Sequence, residues 1–355
     1  MNLHPKGLSF VRFIIAKTLA RTPDGQYDIE RAFQFAQERW GQRSPPQAIL
    51  KAEISALHVG GGAGAALTSD YGAAAGEFMS VVRERSILGQ LAGIRRIPAY
   101  VPYLLATGTA VASWVPEGKS FLFSSQSWER SQIAPLKLQA GVPMTKELLQ
   151  SGDPQAELQI RNDLINVLAE AFNLALIDPT NAGVADEKPA SVTYDQTAVS
   201  VGANDMREAV LGMIQQFDGD LLKAVFVGSP RLYAQLADPL TFPSLGVRGG
   251  EILGIPAVAS NMPDDGNDYQ LALIDPTNII FTGSDLVEID VARHASVQLL
   301  NNPTGVSTPN PQETQLVSLW QHNAVAIRTT LDANWRLARG NSVMLTGIAK
   351  EGQIS

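Results

Sequence analysis

The chain contains no cysteine among its 355 residues, which excludes disulfides and thiolate metal sites. It has only four histidines, His4, His58, His294 and His322, and no two stand at HxH or HxxxH spacing. A metal centre would therefore have to be assembled by the fold from sparse parts. Charge is also scarce, at 17% of residues, and what there is lacks a basic surplus: the net charge is −8. A nucleic-acid reader needs a basic face to displace phosphate counterions, so that class is disfavoured. No segment approaches the run of about 18 apolar residues that spans a bilayer. The stretch LSFVRFIIAKTLA imitates a secretory leader, but Arg12 and Lys17 interrupt its apolar region. It reads as an amphipathic helix of a protein made and kept in the cytoplasm.

What is present is a hydrophobic fraction of 45%, enough for a sizeable core in two or three domains. So low a density of charge on a chain this long suggests that part of its surface is covered, most simply by copies of itself. The charge is uneven as well. Residues 1–58 carry eight basic and five acidic side chains, a local charge of +3, leaving −11 for the remainder. The first segment is chemically distinct.

Helical spacing predicts two short helices, 8–20 and 28–40, the second with Ile29, Ala32, Phe33, Ala36 and Trp40 on one stripe. GQRSPPQ breaks the pattern. Residues 59–76, VGGGAGAALTSDYGAAAG, read as an extended connector, and EFMSVVRERSILGQ as a helix. Strands follow through 94–115. A hairpin tip, WVPEGKSF, places Pro116 and Gly118 where a turn needs them. After IAPLKLQAGVPM, another strand, a long helix begins with Asp153 as its cap, Pro154 at the first helical position and Glu157 near the positive end of the dipole. Ile160, Leu164, Leu168, Phe172 and Leu176 recur every four residues, with Ile165, Val167, Ala171 and Ala175 widening the stripe, and Pro179 ends it. Such a broad stripe lies across other elements and does not stand free.

From about 196 the texture is α/β. A helix over 204–217 turns Met206, Ala209, Val210, Met213, Ile214 and Phe217 inward, the strand KAVFV follows, and Ser229-Pro230 caps the helix RLYAQLAD. Strands are expected at ILGIPAVAS, YQLALID, NIIFTG, LVEIDVA and HASVQLL, then, past a Pro/Asn loop, a long strand in which Val325, Ile327, Thr329 and Leu331 alternate inward, and finally VMLTGI. The octapeptide LALIDPTN occurs at 174–181 and again at 271–278. The flanks differ, so it marks two similar exits, one from a helix and one from a strand, and not a duplication.

The chemical motifs fail on inspection. GKS at 118–120 lacks the glycine of a phosphate loop, Ser113 standing in its place, and no helix pattern follows. VGSPR at 227–231 lacks the second glycine of a nucleophile elbow. MPDDGNDY is half a calcium loop without its closing glutamate. The acid pairs Asp218/Asp220 and Glu288/Asp290 have turn and strand spacings common in acidic proteins. No constellation argues for an enzyme or a cofactor.

The order of features is more specific than any motif. AVASWVPEGKSF…KLQAGVPMTKELLQSG…LINVLAEAFNLALID, then VFVGSPRLYAQL, GGEILGIPAVAS and IIFTGSDLVEIDVARHASVQ, resembles the major capsid proteins of tailed bacteriophages with the HK97 fold, over nearly the whole chain from about residue 60. The resemblance implies an α+β fold in which residues 1–58 are a scaffolding-like helical extension, 59–90 the N-arm and 91–195 the P-domain. Within the P-domain, 100–135 would be an extended E-loop and 153–178 a spine helix. Residues 196–314 would be the A-domain and 315–355 strands returning to the P-domain. It places Trp114, Pro116, Glu117, Lys119, Phe121 and Trp128 at contacts between subunits, and Ile160, Leu164, Leu168 and Phe172 in the spine-helix core. Some members lock the shell with a Lys–Asn isopeptide bond aided by a buried acid. Lys119 lies in the corresponding loop, Asn323 and Asp332 are the candidates in register for its partners, and Lys119 is kept as an intersubunit contact. The implied function is self-assembly, as hexamers and pentamers, into an icosahedral shell around double-stranded DNA that is enclosed without sequence-specific binding. The implied accessory partners are portal, scaffold or protease, and decoration proteins. The implied location is the virion, assembled in the cytoplasm of a host bacterium, with no membrane. A nanocompartment shell of the encapsulin kind and a soluble α/β enzyme are the alternatives.

Overall fold

The computed structural model describes residues 5–20, 27–42, 44–57, 63–106, 114–118, 128–150, 153–201, 205–263, 268–292, 296–299, 315–338 and 342–350. The chain begins with helices α1 (Leu8–Leu19), α2 (Ile29–Trp40), α3 (Pro45–Leu57), α4 (Ala63–Arg85) and α5 (Ile87–Gln90). Strands β1 (Arg95–Arg96), β2 (Tyr103–Ala106), β3 (Trp128–Ser131) and β4 (Leu136–Thr145) lead to α6 (Lys146–Gln150) and the long α7 (Pro154–Ile177). Next come β5 (Thr197–Ser200), α8 (Met206–Gln216), β6 (Val225–Gly228), α9 (Pro230–Leu236), β7 (Leu245–Gly246), β8 (Gly249–Ile252), β9 (Ile255–Ala259) and β10 (Asp268–Ile274). A short 3-10 turn (Pro276–Asn278) precedes β11 (Ile279–Ala292), β12 (Ser296–Leu299), β13 (Gln315–Ser318), β14 (Ala324–Leu337) and β15 (Val343–Ala349).

These elements form two compact units, each gathered from three stretches of chain: 1–85, 138–168 and 285–331 in the first, and 86–137, 169–284 and 332–355 in the second. The first unit is built on α1. Leu8, Phe10, Val11, Phe13, Ile14, Ile15 and Ala16 are all buried, Ser9, Arg12, Lys17 and Leu19 are part-buried, and the helix packs against α2, α3 and α4. A helix with so broad a buried face sits inside a cluster. Asp28 caps α2 by accepting from the Arg31 amide, and the Phe10 and Phe78 rings lie 4.9 Å apart.

Two expectations are corrected in this unit. Part of the connector read as extended is helical, since α4 begins at Ala63. Six alanines between 63 and 75, the best helix formers, stand against two glycines, Gly64 and Gly72, that each cost about 1 kcal/mol, and Ala74 and Ala75 are buried. The PP pair read as a break opens α3, because proline is tolerated at the first helical positions, where no amide is needed. His322 lies in the turn before β14.

The second unit holds a seven-stranded mixed sheet of order β5-β15-β10-β6-β9-β8-β7. β6 runs parallel to β9 and antiparallel to β10, and all four of its residues are buried. Val210 and Met213 of α8 and Leu232 and Tyr233 of α9 join Phe226, Leu271, Leu273, Val343 and Leu345 in one core. The Ser229 hydroxyl accepts from the Leu232 amide and Pro230 opens α9. Burial pushes the Tyr233 phenol far up, so its hydroxyl stays protonated and donates to the Val258 carbonyl at 3.1 Å.

The segment ILGIPAVAS is a hairpin and not one strand. Leu253 and Gly254 both have positive φ, 52° and 83°, the two-residue turn that matches strand twist. NIIFTG and LVEIDVA fuse into β11. VMLTGI is placed inside the seven-stranded sheet, parallel to β5 and antiparallel to β10, and does not return with β14. Val343, Met344, Leu345 and Ile348 are all buried, a run apolar on both faces that requires a central position. A separate sheet has the order β1-β11-β14-β4.

Candidate functional site

β2 and β3 form a two-stranded antiparallel ribbon pairing Tyr103 with Ser131, Leu104 with Arg130, Leu105 with Glu129 and Ala106 with Trp128. Alternation decides its two faces. Tyr103 and Leu105 are buried with Ile133 and Ile280, against Ile97 and Ala338, and these anchor the ribbon in the second unit. The opposite face is open: Leu104 and Trp128 are each 56% exposed. The tip residues Trp114, Pro116 and Glu117 are exposed, Trp114 fully. Gly118 has φ 81°, the left-handed conformation that a turn asks of glycine. Lys119 and Phe121 lie outside the described residues.

Large apolar groups stand open along this stretch: Tyr100, Val101, Leu104, Trp114, Val115 and Trp128. Isolated exposed apolar groups are ordinary, but several in one stretch mark an interaction surface. A groove of about 470 Å³ in the same unit is lined by Ile133, Leu136, Val184, Pro189 and Trp335, with Asp186, Lys188 and Arg336 as its charged groups. Among the described residues, no group of three or more histidine, aspartate and glutamate side chains gathers as metal ligands, and no helix is long and apolar enough to cross a membrane.

The long helix behaves as its stripe predicts. The Asp153 carboxylate accepts from the Gln155 amide at 2.9 Å. Ile160, Leu164, Ile165 and Leu168 are buried in the first unit, and Phe172, Leu176 and Ile177 in the second. Phe172 lies 6.5 Å, ring to ring, from Trp335, whose indole donates to the Ala190 carbonyl. Val167 departs from the expectation. At 46% exposed, it lies outside the buried stripe.

The sequence did not disclose what Glu157 does. It was legible as a first-turn acid, but its carboxylate is buried and accepts from Arg12 Nε at 2.8 Å, Arg39 at 3.2 Å and Trp40 Nε1 at 3.1 Å. Its partners stand more than 100 residues away on α1 and at the end of α2. The hint was Arg12 on the largely buried α1 and Arg39 near the end of α2, since a buried cation must find an anion. Asn323, considered as a cross-link partner, is in a turn of the first unit with φ 47°. Asp332 lies within β14.

Comparison with known proteins finds similarity to capsid proteins. The capsid of a native GTA particle matches 75% of this chain and 91% of its own at a TM-score of 0.50, with 16% sequence identity, a likeness of fold alone. A capsid polyprotein of Pseudomonas phage PAJU2 is 27% identical over 301 residues, covering 79% of this chain and 45% of the polyprotein, so the chain spans less than half of that relative. A probable major capsid protein, gp17, of Mycobacterium phage D29 is 24% identical over 258 residues, covering 66% of this chain and 73% of that protein. The fold is α+β and HK97-like. With its match extending over residues 73–346, well over half its length, the chain belongs to the phage capsid family.

Proposed function

We propose that the protein is a major capsid protein that self-assembles, as hexamers and pentamers, into an icosahedral shell around a double-stranded DNA genome. The observation that carries this reading is the anchored ribbon. Its inward residues, Tyr103 and Leu105, are fixed in a core, while its outward residues and the Trp114 tip have no covering within the described chain. A monomer gains nothing from holding large apolar groups in water, whereas a neighbouring copy removes them from it. Trp114, Pro116, Glu117, Lys119, Phe121 and Trp128 are assigned to that intersubunit contact, with residues 100–135 as the E-loop.

The remaining assignments follow. α7 is the spine helix of a P-domain formed by residues 91–195, the sheet of β5 to β10 is the core of an A-domain over 196–314, residues 59–90 are the N-arm, and residues 1–58 are a scaffolding-like extension. β15 is counted with the A-domain sheet. The contacts are head-to-tail, so they close into rings. Each is modest, and the aggregate is strong because every subunit makes several. A net charge of −8 keeps the inner wall from adhering to packaged DNA. Portal, scaffold or protease, and decoration proteins are the accessory partners. The finished protein resides in the virion, after assembly in the host cytoplasm.

Negative-stain microscopy with light scattering tests the reading. Closed particles tens of nanometres wide are expected, and a discrete monomer or dimer under all assembly conditions would overturn it. Nuclease-protected DNA within particles from infected cells separates a virus from an enzyme-storing compartment.

A further inference from the structure

The geometry points to a latch. Glu157 is the carboxylate that holds α1 and α2 against α6 and the first turns of α7, and neutralising it lets this contact open locally while the seven-stranded sheet stays closed. The inference rests on intramolecular contacts alone and is independent of whether shells form.

Three polar ties from the N-terminal helices end on this one side chain. Arg12 Nε donates to one carboxylate oxygen, and Arg39 and Trp40 Nε1 share the other. A second guanidinium nitrogen of Arg39 donates to the Leu149 carbonyl at 3.0 Å, extending the contact to α6. The cluster is largely buried: the side chains of Glu157, Arg12 and Arg39 are 4%, 15% and 14% exposed. The indole of Trp40 lies beneath both guanidinium groups, 5.7 Å from that of Arg12 and 5.4 Å from that of Arg39. In such surroundings an arginine deprived of its carboxylate stays buried and unpaired, so loss of one acid disturbs two cations at once.

One feature makes this a releasable contact and not a permanent staple. Glu157 stands in the first turn of α7. There the helix dipole favours a carboxylate whether or not the arginines are present, so the acid is not stranded when they leave. α1 keeps its apolar cover in the open form, because α2, α3 and α4 pack around it from within residues 8–85. The contact between α1 and α6 is what opens.

The absence of native cysteine allows a direct measurement in the full-length chain. Leu149 on α6 is 1% exposed, and Leu149→Cys reports opening through its rate of reaction with a thiol reagent. Ala272→Cys, fully buried in β10, reports opening of the sheet. Adding Glu157→Gln should accelerate labelling at position 149 at least tenfold and leave position 272 unchanged. Arg12→Gln, which removes a partner and not the hub, should act in the same direction. The double variant should open little more than Glu157→Gln alone, because the two groups form one unit. Unchanged labelling at 149 in either variant would overturn the latch, as would parallel acceleration at 149 and 272, which would mean general unfolding.

Discussion

Asp178 and Asp275 perform one task in two settings. In each copy of the repeated DPT, the aspartate accepts from the threonine amide two residues on at 2.9 Å and from its hydroxyl at 2.7 Å. One copy follows a helix and the other a strand. The tripeptide therefore closes its own turn, and what precedes it is immaterial. The fourth residue differs. Asn278 donates back to Asp275, while Asn181 bridges the carbonyls of Ala175 and Pro189. Asp275→Ala removes three bonds from a buried acceptor, and a loss of about 1–2 kcal/mol is expected from urea unfolding. Asp178→Ala, in a more open turn, should cost less. At this scale the sequence was informative where a residue acts on its own neighbours, as with the Ser229 cap and Asp153. It was silent on Glu157, whose meaning depends on side chains distant in the chain.

Elements were legible where one face is buried over a long stretch. The limits of α7, the inward face of α8 and the alternation of β14 all follow from periodicity, because each buries a single stripe or face. α3 and the first half of α4 were not legible. The PP pair of α3 reads as a break, and the alanine and glycine of α4 supply no stripe. The split of β8 from β9 was hidden by a continuous apolar run broken only at Leu253-Gly254. Of the ribbon, the sequence indicated the strand that holds Tyr103 and Leu105 but not β3, whose residues WERS read as a polar stretch. It could not say which side faces out, since register is set by the anchoring of Tyr103 and Leu105. Leu168→Pro should break α7 and lower stability by about 3 kcal/mol or more, seen as a fall in thermal midpoint; an unchanged midpoint would contradict the helix. Deleting residues 112–126 should leave the far-ultraviolet circular dichroism nearly intact and abolish particles under the microscope. Normal particles from that variant would remove the ribbon from the assembly reading.

The whole molecule is knitted from distant segments. The bond from Ser342 to the Val192 carbonyl joins residues 150 apart, that from Arg12 to Glu157 residues 145 apart, and each unit takes three stretches of chain. Long-range pairing slows folding, because loop entropy is lost before contacts reward it. Refolding by dilution from urea should therefore run on the scale of seconds or longer. Phe226→Ala, in the buried centre of the seven-stranded sheet, should cost about 3–5 kcal/mol in equilibrium unfolding.

The position of β15 between β5 and β10 also bears on synthesis. A growing chain that has already made residues 197–274 still has a vacant slot in its largest sheet, and the strand that fills it is translated some seventy residues later. Until Val343–Ala349 leaves the ribosome, both neighbouring strands present raw edges open to mispairing with other nascent chains. The largest sheet among the described residues thus closes only after translation has passed that point.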